Sequence, residues 1–140
     1  FNNNILIVES RYYNDISDLL LDAVIEEIKK NEFNYNKIEV LGALEIPIVI
    51  SRAIKQNRYN GFIGLGCIIR GQTSHFDIVS KESARALMDL AINNAVPITN
   101  GILTVDNKEQ AIYRADKNKK NSGGHAAKSC IQLIKCYKSI

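Results

Sequence analysis

Gly61-Phe62-Ile63-Gly64-Leu65-Gly66-Cys67 is an unbroken run of apolar and small residues near the middle of the chain. It has no polar alternation, so it reads as a strand buried on both faces, with glycines that allow close packing. Upstream, Glu45 to Gln56 has the period of a helix, and Pro47 falls in its first turn, where a missing N–H costs little. Downstream, Ile68 to His75 reads as a loop. Phe76 to Asn94 then reads as a helix with Val79, Ala84, Leu87, Met88, Ala91 and Ile92 as its apolar stripe.

The same alternation extends to both ends. Asn4-Ile5-Leu6-Ile7-Val8-Glu9 is a second buried strand, and Lys37 to Leu41 is another, ending at Gly42. Between them Asp15 to Lys30 carries Ile16, Leu19, Leu20, Ala23, Val24 and Ile28 on one helical face. Pro97 to Thr104 is the fourth strand. Asn107-x-x-Gln110 looks like a capping box that opens a short helix to Ala115. Lys117 to Gly124 reads as a polar basic loop, and His125 to Lys138 as a closing helix. The order βαβαβαβαα implies a four-stranded parallel sheet with helices on both faces, a three-layer α/β/α sandwich.

The chain of 140 residues is the size of one domain, expected to span residues 1–140, and can bury a real core without staples. No run of apolar residues is long enough to span a membrane. Phe1-Asn2-Asn3-Asn4 lacks a basic region before the first apolar run, so no secretory signal is expected. Opening on Phe1 rather than methionine suggests a missing natural start, and the stretch before Asn4 leaves little arm to reach a neighbouring sheet. Cys67, Cys130 and Cys136 form no Cys-x-x-Cys pair, and His75 and His125 are far apart in sequence. That argues against a zinc cluster and a disulfide scaffold, and for a reducing, cytoplasmic compartment.

The net charge of +3 is unevenly spread. Residues 107–140 carry eight Lys/Arg against Glu109 and Asp116, whereas residues 1–106 are net acidic. A basic end fits an anionic partner or simply a solvated helix face. Aromatic residues are not interleaved with it, which speaks against nucleic acid.

Ligands of parallel sheets gather at the carboxyl ends of the strands. Gly66-Cys67-Ile68-Ile69-Arg70-Gly71-Gln72-Thr73 has the glycine spacing of a P-loop, but Gln72 stands where the lysine is needed. Gly64-x-Gly66 lacks the third glycine of a dinucleotide fingerprint. A phospho-receiver would need an acidic pair after strand one and an aspartate after strand three, where only Glu9 and Cys67 occur. The segment Arg70 to His75 still leads into a helix with free N–H groups, hydroxyls at Thr73 and Ser74, and a histidine able to exchange protons near neutral pH. A helix-capping turn with a surface histidine would look the same. Glu45 at a helix start fits either dipole compensation or an acceptor for ligand hydroxyls. Arg114 fits either a phosphate fork or a surface arginine beside Asp116.

Taken together, these segments resemble the 6,7-dimethyl-8-ribityllumazine synthase family over nearly the whole chain. Gly66-Cys67-Ile68-Ile69-Arg70-Gly71-Gln72-Thr73-Ser74-His75-Phe76-Asp77 is similar to the family's G-x-x-I-R-G-x-T-x-H-[FY]-[DE] signature. Gly42-Ala43-Leu44-Glu45-Ile46-Pro47 resembles G-A-x-E-x-P, and Gly101-Ile102-Leu103-Thr104 with Asn107, Glu109, Gln110 and Ala111 resembles G-[IV]-L-T-x-[DE]-N-x-E-Q-A. The resemblance implies a flavodoxin-like sandwich, homopentamers that in some members build decamers or sixty-subunit shells, and active sites between subunits. It implies a transferase-class enzyme of riboflavin biosynthesis. The reaction joins 5-amino-6-(D-ribitylamino)uracil and 3,4-dihydroxy-2-butanone 4-phosphate without metal or organic cofactor. Riboflavin synthase is an implied partner.

Residue by residue, the resemblance puts Tyr12 over the pyrimidine ring, where many members have Phe. It puts Ala43, Leu44 and Glu45 along the ribityl chain, and Cys67, Ile68 and Ile69 along ring and chain. Gln72 and Thr73 match the backbone phosphate site, Arg114 of an adjacent subunit reaches the same phosphate, and His75 matches the proton shuttle. Leu44 and Asn100 each stand where Phe is frequent, and Asn100 is expected to meet the pyrimidine across the interface. Ser122 replaces a frequent lysine, with Lys119 or Lys120 as electrostatic substitutes. Two other readings stay open: a shell that only binds a lumazine or flavin, needing Tyr12 and Glu45 but neither His75 nor Arg114, and a purely structural cage.

Overall fold

The fold is taken from a computed structural model that describes residues 3–140. The stretch before Asn4, as far as it involves residues 1–2, lies outside the described residues. The elements are β1 (Asn4–Ser10), α1 (Asn14–Lys30), β2 (Asn34–Val40), α2 (Glu45–Ile54), β3 (Gly61–Ile69), α3 (His75–Asn94), β4 (Ile98–Val105), α4 (Lys108–Ala115) and α5 (Ser122–Ser139). The four strands form one parallel sheet in the order β2-β1-β3-β4. The expected βαβαβαβαα order and three-layer, flavodoxin-like sandwich are therefore observed.

Strand alternation divides the core in two. Ile5, Ile7, Ile63, Leu65, Leu103 and Val105 face α1, α4 and α5. Leu6, Val8, Phe62, Ile98 and Ile102 face α2 and α3. On that second side Gly64 lets α2 close in: a Cβ there would lie 3.0 Å from Ile46 Cγ2. At the end of β1 the buried Glu9 carboxylate, 1% exposed, receives Lys37 Nζ at 2.8 Å and Arg11 Nη1 at 3.0 Å. Arg11 also pairs with Asp18 on α1. A carboxylate this buried is tolerable only because it is paired, and the pairing ties the ends of β1 and β2 together.

Several expectations change in detail. β2 starts at Asn34 rather than Lys37, because Asn34 pairs with Asn4 in the register with β1; Leu41 falls outside the strand. β3 runs on through Ile68 and Ile69, which pair with Thr104 and Val105, so the loop begins only at Arg70. α2 stops at Ile54, and Asn57 soon follows with a left-handed φ of 54°. The Asn107 side chain accepts from Gln110 N–H at 2.9 Å, but Gln110 Oε1 returns to the N–H of Asp106, not of Asn107. On α3 the residues turned inward are Val79, Ser83 and Leu87, whereas Ala84, Met88 and Ile92 are exposed. That helix carries apolar residues on two faces, and one sheet can cover only one of them.

α5 begins at Ser122, so Gly123 and Gly124 belong to its first turn rather than to a loop. Asn121 caps it, accepting from Gly124 N–H at 3.2 Å. This close approach needs Gly123, since a Cβ there would stand 2.7 Å from the Leu20 backbone oxygen of α1. Gly→Ala in an unhindered helix gains up to about 1 kcal/mol. Here Gly123→Ala is expected to destabilise instead, by about 1–3 kcal/mol from overpacking, measured by urea unfolding of the variant beside the parent.

Candidate functional site

The parallel sheet delivers the carboxyl ends of β1, β2 and β3 to one edge, and a cleft of about 320 Å³ opens there. β1 and the turn after it supply Ser10, Tyr12 and Tyr13. The turn after β2 supplies Leu41, Gly42 and Ala43. β3 supplies Cys67, Ile68 and Ile69, and the first turns of α3 supply His75 and Val79. Tyr12 stands at the mouth, 77% exposed, with its ring edge-on to Tyr13 at a centroid distance of 4.9 Å. The site therefore offers one presented aromatic face above an apolar floor, the form that suits a flat heterocycle.

The polar groups sit around that floor. Burial pushes the Cys67 thiol up to about 11, reinforced by the charge of Asp15, so it stays protonated at neutral pH and lines the cleft as a small apolar group. Burial likewise raises the Tyr13 phenol. His75 opens α3 on the exposed rim, and its backbone N–H donates to Thr73 Oγ1 at 3.3 Å. Glu45 opens α2, and its carboxylate makes no ion pair among the described residues. Gly42 leaves room for it, because a Cβ on Gly42 would lie 2.9 Å from Glu45 Oε1.

Of the residues expected at the site, Tyr12, Ala43, Cys67, Ile68, Ile69 and His75 come together in this cleft. Leu44 and Glu45 continue the Gly42-Ala43 turn into α2, and Gln72 and Thr73 lie in the exposed segment before His75. None of these four lines the cleft, and Leu44 borders a separate groove between α2 and α3 with Pro47, Ile48, Ala86 and Leu90. Asn100 and Arg114 do not line it either. Asn100 lies on β4 and lines a separate open depression with Lys120, Ser122 and His125. Its Oδ1 accepts from Ile102 N–H at 2.9 Å. That N–H faces the free edge of the sheet, because the neighbouring Val105 and Pro97 carbonyls are the ones bonded to β3. Arg114 stands exposed in the last turn of α4, with no ion pair among the described residues. Ser10 lies in the Glu9-Ser10-Arg11-Tyr12 strand end where the sequence points to chemistry, whereas Tyr13, Leu41 and Val79 are additions to the expected site. Position at a strand end was a usable signal for Leu41, but the inward turn of Tyr13 and Val79 depends on helix placement.

The model of the 6,7-dimethyl-8-ribityllumazine synthase family matches residues 2–138. The chain belongs to this family. It is 50% identical over 133 residues to the 6,7-dimethyl-8-ribityllumazine synthase of Bartonella tribocorum, covering 94% of this chain and 87% of that one. It is 46% identical over 142 residues to the protein of the same name from Agrobacterium fabrum, covering 98% and 96%. The corresponding protein of Sphingopyxis alaskensis is 44% identical over 131 residues, covering 94% and 92%. Among the described residues no helix is long and apolar enough to cross a membrane.

Burial and a raised pKa make the Cys67 thiol on β3 a poor nucleophile at neutral pH. Folded protein treated with iodoacetamide at pH 7.5 is expected to leave Cys67 unmodified while the same reagent labels it after denaturation, as read by peptide mass mapping. Labelling of Cys67 in the folded protein at the unfolded rate would contradict its burial.

Proposed function

We propose that the chain is a 6,7-dimethyl-8-ribityllumazine synthase, a transferase of riboflavin biosynthesis. It condenses 5-amino-6-(D-ribitylamino)uracil with 3,4-dihydroxy-2-butanone 4-phosphate to give 6,7-dimethyl-8-ribityllumazine, phosphate and water. The observation that carries this reading is the family match across residues 2–138, joined to a cleft in which Tyr12, Ala43, Cys67 to Ile69 and His75 meet.

In this reading the pyrimidine lies under Tyr12 and on the Cys67-Ile68-Ile69 floor. The ribityl hydroxyls run along Ala43 and Leu44 and donate to the unpaired Glu45 carboxylate. The phosphate sits on the N–H groups around Gln72 and Thr73 at the start of α3, where the helix dipole favours an anion. The pyrimidine amine attacks the ketone and loses one water to form an imine, phosphate leaves by elimination, and attack of the ribitylamino nitrogen on the remaining carbonyl closes the ring with loss of a second water. His75 moves protons at the amine and the leaving phosphate. Placement contributes more than this proton transfer, since two substrates held in reacting geometry gain up to about 7–11 kcal/mol over free encounter.

The assembly is a homo-oligomer built on pentamers, with Asn100 and Arg114 of one subunit completing the site of the next. Two features support this. Asn100 and Arg114 lie away from their own chain's cleft, and α3 exposes Ile78, Met88 and Ile92, with Ile48 of α2 also exposed, an apolar band that a monomer would rarely leave uncovered. The residues form one lumazine synthase domain over 1–140, and the enzyme works in the cytoplasm, alongside riboflavin synthase as consumer of its product.

The direct test is absorbance of the lumazine chromophore with both substrates; formation well above the spontaneous rate is expected, and its absence in folded, assembled protein would leave a ligand-binding relative as the account. His75→Ala is expected to lower kcat about a hundredfold, the low end of general acid–base help, without abolishing turnover. Arg114→Ala is expected to raise KM for the butanone phosphate by about ten- to a hundredfold, the worth of a charge-assisted phosphate contact. An unchanged KM would remove Arg114 from the site.

A further inference from the structure

One strongly tied cation beside the cleft has no part in the reading above. Arg70 is the first residue past β3, and its backbone N–H donates to the Val105 carbonyl at 2.8 Å, where β3 and β4 end together. Its side chain then reaches three groups on two other segments. Nε donates to Asp106 Oδ1 at 3.0 Å, and Nη1 lies 3.7 Å from Asp77 Oδ1 in the first turn of α3. The guanidinium carbon stands 4.4 Å from the centroid of the Phe76 ring. Asp106 is itself held, because its N–H donates to Gln110 Oε1 of α4 at 2.8 Å.

The segment it precedes has little else to hold it. Residues 71–75 are exposed, and a Cβ on Gly71 would meet nothing within 4 Å. Among the described residues the His75 N–H donates to Thr73 Oγ1 at 3.3 Å, and the Ser74 carbonyl accepts from the Asp77 and Ile78 N–H groups at 3.1 and 3.3 Å, so these bonds tie the segment to α3 and none ties it to the sheet. A single half-exposed ion pair would be worth little. A guanidinium that lies over one ring, donates to one carboxylate and stands within ion-pair distance of a second fixes direction as well as distance, which a lysine does less well.

We propose that Arg70 is a positioning residue for the reaction: it fixes the first turn of α3 to the common end of β3 and β4, and so sets the path of Gln72 to His75, which receives the substrate phosphate and carries the proton shuttle. This rests on the lumazine synthase reading. In this reading Arg70 does not itself bind phosphate, since its charge is engaged by Asp77 and Asp106.

The test compares the parent enzyme with Arg70→Ala, Arg70→Lys, Asp106→Asn and the Arg70→Ala/Asp106→Asn pair, with thermal melting of each assembly. A misplacement of about 1 Å can cost about a hundredfold in rate. Arg70→Ala is therefore expected to raise KM for the butanone phosphate about tenfold and lower kcat, with KM for the pyrimidine within twofold of the parent and Arg70→Lys restoring only part. Asp106→Asn should raise the same KM, and the double variant should be no worse than Arg70→Ala. Parallel rises in both KM values, or unchanged constants, would overturn the proposal. So would an Asp106→Asn variant that binds the phosphate substrate equally or more tightly, because freeing the guanidinium would then reveal a direct phosphate ligand. Stabilisation by inorganic phosphate gives a readout without turnover: it should be clear in the parent and diminished in Arg70→Ala, and equal or absent shifts in both overturn the positioning role. A parent that is stabilised by phosphate but makes no lumazine would instead overturn the functional reading, and with it the role in the reaction, while a smaller phosphate shift in Arg70→Ala would still show that Arg70 holds the anion-binding segment.

Discussion

Four parallel strands release all their carboxyl ends at one edge of the sheet, and the rest of the molecule depends on that constraint. Tyr12, Ala43 and Ile68 are far apart in sequence, yet each lies at or just beyond the end of a strand, so the sheet brings them to one cleft, and the start of α3 adds His75. The small residues of β3 make this possible. Gly64 admits α2 against the sheet, and the helix start that carries Glu45 is thereby held beside the strand end that carries Cys67 to Ile69.

Several ion pairs gather near the same edge. Glu9, the one acidic side chain inside the core, is held by Lys37 and Arg11 and joins β1 to β2. Asp15 and Lys108, paired at 2.9 Å, join the starts of α1 and α4, and Arg70 joins β3 and β4 to α3. Each bridge fixes a strand end or helix start around the cleft, whereas Glu45 and Arg114 are left without an ion pair among the described residues. The paired carboxylates and guanidinium groups named here serve as fasteners.

The readily legible parts of the sequence were those with strong periodicity or punctuation. The run at Gly61 to Cys67 and the apolar face of α1 depend on local chemistry, and the structure has them as read apart from boundaries; at Asn107 the cap is there but the returning half of the box goes to Asp106. β2 was harder to see, because an edge strand needs no apolar alternation and Asn34 to Asn36 enter the sheet through register with β1. The start of α5 was also hidden. Gly123 and Gly124 look like loop residues, and only the contact of that turn with Leu20 of α1 explains them as helix. On α3 the apolar residues were visible but the face was not, since Met88 and Ile92 compete with Val79 and Leu87 for a core that has room for one set.

By itself, then, the sequence determined the order of elements, the parallel three-layer architecture and the family signature around Arg70 to Asp77. These depend on short-range spacing, which a chain carries wherever it is placed. Tertiary structure decided which of the signature residues share a cleft within one chain, and that Asn100 and Arg114 do not. It also decided that Cys67 is a buried, protonated thiol and that Arg70 reaches Asp77, Asp106 and the Phe76 ring at once. Those outcomes depend on burial and on distances between segments remote in sequence, which packing alone supplies.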